Sequence, residues 1–88
     1  MSKIVIVHNV VDLDRWLSYK QERADVIAQF GSNVKDHVSA DGSNMVAVTA
    51  DGVDVAAMQA ALASPPPELA AAMERHGVIP PLTVFVEK

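Results

Sequence analysis

The sequence predicts an α+β fold of order βαββαβ, a four-stranded antiparallel sheet with its helices on one face. Apolar runs of strand length fall at residues 3–10, 33–40, 45–50 and 82–87. Helical spacing fills residues 13–30 and 55–76 between them. Short segments rich in Gly, Asp and Pro separate the runs. With 88 residues the chain has room for one domain, and a domain of this size buries roughly 60–65% of its unfolded surface.

The first strand reads Ile4-Val5-Ile6-Val7-His8, apolar on both parities, so both sheet faces are expected to be covered there. Asp12 is suited to cap the first helix, and Asp14 in its first turn complements the helix dipole. Leu13, Trp16, Leu17, Ala24, Ile27 and Ala28 form its buried stripe; Tyr19, Val26 and Phe30 fall on an adjoining face, with Arg23 and Lys20 near its edge. Gly31 is expected to end this helix at positive φ. The second strand is the most polar, as an edge strand tolerates, and Asp41-Gly42-Ser43-Asn44 reads as a hairpin turn. The third strand is again apolar on both parities and belongs beside the first, with Asp51-Gly52 as the turn after it. Ser64-Pro65-Pro66-Pro67 splits the second helical region into residues 55–63 and 67–76. Gly77-Val78 closes the latter, and Pro80-Pro81 leads into the last strand. There Leu82, Val84 and Val86 share one face and Thr83 and Phe85 the other.

Bulk composition narrows the function classes. The formal charge is −4 and the seven Lys and Arg residues are scattered, so no basic face is present to neutralise phosphates and nucleic acid is not an expected partner. The chain has no Cys, which removes disulfides, thiolate metal sites and cysteine nucleophiles. Its opening residues lack a cleavable-leader pattern and the length to span a bilayer; a cytoplasmic protein without membrane association is expected. Half the residues are hydrophobic. With helices on one sheet face only, that excess predicts a homodimer that covers the other.

The run Val10-Val11-Asp12-Leu13-Asp14-Arg15-Trp16 resembles the V-x-D-[YF]-D-x-W opening of helix one in the dimeric α/β-barrel superfamily, which has a ferredoxin-like fold and includes the antibiotic-biosynthesis monooxygenases and uncharacterised bacterial proteins. Leu62-Ala63-Ser64, Pro67-Glu68-Leu69, Ala72-Met73 and Gly77-Val78 are similar to a later segment of that superfamily, departing from it by an extra proline pair before Glu68. The resemblance implies two sheets meeting back to back and a small pocket between sheet and helices in each subunit. Heme-degrading members pair an asparagine at the end of strand one with a strand-three tryptophan and a helix-two histidine. Asn9 matches the first, but residues 45–50 hold no tryptophan and Met73 stands near the histidine position, with His76 one turn on. Heme degradation is therefore not expected, and neither is any other cofactor.

Candidate ligand-binding residues are His8, Asn9, Trp16, Tyr19 and Phe85. His8 ends the first strand on the parity of Ile4 and Ile6; its plainer reading is a satisfied polar strand end, as that of Trp16 is a core anchor. His8 and His37 are the weak catalytic candidates, since only imidazole titrates near neutrality without special tuning. His8, His37 and His76 share no metal-ligand spacing, so no metal is expected. The central strands lack base-stacking aromatics, the segment after strand one lacks the glycine and arginine of a phosphate loop, and no serine lies in a nucleophile elbow. Two functions stay open. One is a dimeric protein binding a small apolar or aromatic ligand. The other is a cofactor-free monooxygenase-type enzyme acting on an aromatic metabolite.

Overall fold

A computed structural model describes residues 2–88. The elements are β1 (Ser2–Val10), α1 (Leu13–Ser18), α2 (Lys20–Ile27), β2 (Ser32–Val38), β3 (Met45–Val53), α3 (Val55–Ala63), α4 (Pro67–Arg75) and β4 (Val78–Val86). The strands form one antiparallel sheet in the order β2-β3-β1-β4. This is the α+β, ferredoxin-like order, with each helical crossover divided in two. The two strands with apolar residues on both parities occupy the centre, and polar β2 lies at an edge.

Strand alternation sorts the sheet into two faces. Ile4, Ile6, His8 and Val10 of β1 turn to the helices, opposite Ala50, Val48 and Val46 of β3 and Val86 and Val84 of β4. Trp16, Ile27 and Met58 join the same buried cluster from α1, α2 and α3. The other face carries half-buried Val5, Val7 and Ala47, and exposed Met45, Ile79 and Phe85, the last 57% accessible.

Four local readings are corrected. The first helix is two: Tyr19 (φ −98°, ψ 22°) closes α1 and caps α2. Ser18 Oγ donates back to the Arg15 carbonyl at 2.6 Å, a local bond that competes with the helical ladder. The Trp16 carbonyl is taken by Tyr19 N–H and by the Arg23 side chain. Residues 28–30 then wind as turn, with Phe30 N–H on the Ile27 carbonyl. Gly31 does not adopt positive φ; Asn33 does (φ 53°). Glycine is required at 31 for space, because a Cβ there would lie 2.6 Å from Val53 Cγ2 and 2.7 Å from the Asp51 carbonyl oxygen. Asp51-Gly52 does not end β3 but lies within it. Gly52 at φ 58° coincides with a register shift against β1, the mark of a bulge. Finally, β4 begins at Val78 rather than Leu82, and a register shift between Val7 and Asn9 accommodates the proline pair.

Candidate functional site

Capping ties the helices over the sheet. Asp12 and Asp54 accept from the N–H groups of Arg15 (3.0 Å) and Ala57 (3.1 Å), as N-caps do. Gly77, at φ 72°, reverses the chain after α4. Arg15 then donates to the Glu74 and Arg75 carbonyls, both at 2.7 Å, so a cation of α1 caps the C-terminus of α4. This closure draws His76, the residue that ends α4, into the interior, where it is 4% exposed.

Between sheet and helices lies a cavity of about 80 Å³. Its walls are largely apolar: Ile6 and Val48 from the sheet, Ile27 and Phe30, Met58 from α3 and Met73 from α4. Four polar side chains reach it: His8, Trp16, Arg23 and His76. Val26 and Ala72 also border an open groove of about 500 Å³ between α2 and α4, rimmed by Glu22, Glu68 and Arg75. The cavity and the groove therefore share a wall.

Arg23 organises the polar side of the cavity. It meets Asp36 of β2 in a bidentate pair, Nε to Oδ1 at 3.0 Å and Nη2 to Oδ2 at 2.8 Å. Both side chains are buried, 6% and 4% exposed. Nη2 also donates to the Trp16 carbonyl at 2.9 Å, and the guanidinium carbon lies 3.8 Å from the Trp16 ring centroid, a desolvated cation–π contact. Nη1 reaches His76 Nδ1 at 3.2 Å. A guanidinium can only donate, so Nδ1 is the acceptor and the His76 proton sits on Nε2, which donates to Glu22 Oε1 at 2.9 Å. Arg75 binds the same oxygen at 2.9 Å, and the Tyr19 ring stacks on His76 with centroids 4.9 Å apart. Burial pushes the His76 pKa below its ordinary value, against the opposing bond from Glu22. The His76 and Arg75 bonds in turn lower that of Glu22.

His8 has the opposite tautomer. Its Nδ1 is 3.0 Å from the Asn9 carbonyl, which can only accept, so Nδ1 carries the proton. Burial lowers the His8 pKa, with the neighbouring Arg23 charge acting in the same direction. The neutral ring keeps a bare Nε2. The His8 and Trp16 rings meet in a T-shaped arrangement, centroids 6.2 Å apart at 77°. Trp16 is fully buried, and its indole Nε1–H has no hydrogen-bond partner among the described residues.

The sequence-derived candidates do not converge on one place. His8 and Trp16 line the cavity, and Tyr19 stands beside it against His76. Asn9, His37 and Phe85 belong to the opposite sheet face, where Asn9 pairs with Met45, His37 with Ala47 and Phe85 with Val5. His37 Nε2 is 3.1 Å from Thr49 Oγ1. A residue set apart by one strand position points the other way, so these three do not line the cavity. The residues that sequence reasoning missed are Arg23, Asp36, Glu22 and His76. A signal for two of them was present. Asp36 shares the parity of Val34 and Val38, and Arg23 follows Trp16 by seven residues, about two helical turns.

Among the described residues no group of three His, Cys, Asp or Glu is placed to hold a metal ion. None of their helices is long and apolar enough to cross a membrane. No family model, curated protein or solved structure matches the chain.

Proposed function

We propose that this protein is a cytoplasmic homodimer of the dimeric α/β-barrel type, from an uncharacterised bacterial branch, that binds a small apolar or aromatic ligand between sheet and helices. The observation that carries the reading is the cavity beside Trp16. An apolar chamber with a few convergent polar groups is the usual form of a small-molecule site. Arg23 is already neutralised by Asp36, so the chamber offers no free charge to a strongly anionic ligand. Its volume is about half that of the roughly 150 Å³ cavity that admits benzene. Entry of a single ring therefore requires Met58 and Met73 to change rotamer, which their unbranched side chains permit.

A monooxygenase-type activity without cofactor is the second reading, favoured by one observation. His8 presents a bare imidazole nitrogen in a chamber otherwise poor in polar groups, as a base that removes a substrate proton would.

Thermal melting against a panel of small aromatic compounds tests the reading. Ligand at 100 times its Kd stabilises by about 2.7 kcal/mol, which for a domain of this size raises Tm by roughly 10–20 °C. Ala72→Leu, which fills the cavity from α4, is expected to abolish the shift while leaving a cooperative melt. A panel that leaves Tm unmoved overturns the binding reading. Oxygen uptake with a bound compound, lost in His8→Ala, separates the second reading from the first.

A further inference from the structure

We infer that the cavity recognises a neutral hydroxyl group on an apolar body, through His8 and Trp16 together; the inference rests on the ligand-pocket reading and names the chemistry of its occupant. Two wall residues carry unused hydrogen-bonding capacity of opposite kind. Trp16 is 0% exposed, and its Nε1–H is a donor without an acceptor among the described residues. His8 is 6% exposed, and with Nδ1 committed to the Asn9 carbonyl its Nε2 accepts no hydrogen bond from the described residues, although Trp16 Nε1 is the one fully buried side-chain N or O atom among them without a partner. A buried polar group left unpaired is costly, and a site built to pair one discriminates strongly against analogues that cannot.

The other polar groups of the chamber are already engaged. Arg23 commits four of its five N–H donors to Asp36, Trp16 and His76, and His76 is bonded at both ring nitrogens. Among the described residues the indole N–H of Trp16 and Nε2 of His8, on rings whose centroids are 6.2 Å apart, make no hydrogen bond. A hydroxyl is the smallest group that answers both, accepting from the indole and donating to the imidazole. A carbonyl or ether answers the indole alone and leaves His8 unpaired. A carboxylate answers only the indole and also brings a charge that no free cation balances.

Trp16 is the only tryptophan of the chain, so ¹⁵N-labelled protein gives one indole resonance that reports the site directly. The 88-residue chain is titrated with cyclopentanol, cyclopentanone and cyclopentene, which share a ring but differ in hydrogen-bonding capacity. Cyclopentanol is expected to bind at least tenfold more tightly than cyclopentene and to move the indole N–H resonance downfield, with cyclopentanone between them. In His8→Phe the affinity for cyclopentanol is expected to fall to that for cyclopentanone. Should that variant not fold, the order of affinities and the indole shift in the unmodified protein still decide. Equal affinities with an unmoved indole resonance overturn the hydroxyl inference while leaving the pocket reading intact. Cyclopentanone binding as tightly as cyclopentanol overturns the part assigned to His8. If none of the three binds, the inference is overturned, and failure of the aromatic panel as well removes the pocket reading with it.

Discussion

Arg23 donates to groups on three different parts of the chain, Trp16, Asp36 and His76, from a position that is 5% exposed. Its pairing with Asp36 compensates two charges that the interior would otherwise reject. Arg23→Met leaves the Asp36 carboxylate buried and alone, and is expected to cost about 3–5 kcal/mol in urea unfolding. Arg23→Met combined with Asp36→Leu is expected to recover most of that loss, because the pair's desolvation cost disappears with it. His76 makes the network sensitive to acid. Its folded pKa lies below the unfolded value near 6.5, so the unfolded chain takes up the proton first. The stabilisation is complete above pH 6.5 and is lost as pH falls towards the lowered folded pKa. Protonation at Nδ1 would set an N–H against the Arg23 donor and beside Arg75, while the Glu22 carboxylate and the face of the Tyr19 ring favour the charge. His8 shifts in the same direction and adds to the effect. The urea midpoint is expected to drop between pH 7.5 and 5.5, and His76→Gln to flatten that dependence.

The elements were legible where local chemistry governs them, as the proline run shows by dividing α3 from α4 and the Asp caps by starting α1 and α3. They were less legible where contacts distant in sequence decide. The break at Tyr19 depends on Arg23 claiming the Trp16 carbonyl, which no helical periodicity reveals. Gly31 looked like a helix terminator, yet it is needed for the close approach of β3. Gly31→Ala would press a methyl group against Val53 and the Asp51 carbonyl, and about 1–3 kcal/mol of destabilisation is expected from such overpacking. Chemical denaturation measures it, and a cost near zero would show that β3 yields. The candidate site divides in the same way. His8 and Trp16 were identifiable from strand parity and helix spacing. Arg23, Asp36 and His76 come together only when α2, β2 and the end of α4 pack, across separations of 13 and 53 residues.

At the scale of the whole molecule, the helix-free face presents Val5, Val7, Ala47, Met45 and Phe85 side by side. Covering a few hundred Å² of such surface is worth several kcal/mol at about 25 cal/mol per Å², set against the cost of association. Sedimentation equilibrium at micromolar concentration is expected to give a dimer, and Phe85→Lys to shift it to monomer without lowering the ligand-induced rise in Tm. A monomer in the unmodified protein would refute the paired assembly. The sheet's margins bear on how far self-association can run. Along β4, Pro80 and Pro81 are two successive positions without an amide hydrogen, and β2 carries Lys35, Asp36 and His37. Neither rim is a good template for an incoming strand. The exposed apolar face of the sheet is thus flanked by strands ill-suited to edge pairing, and growth into fibrils finds no free border from which to propagate.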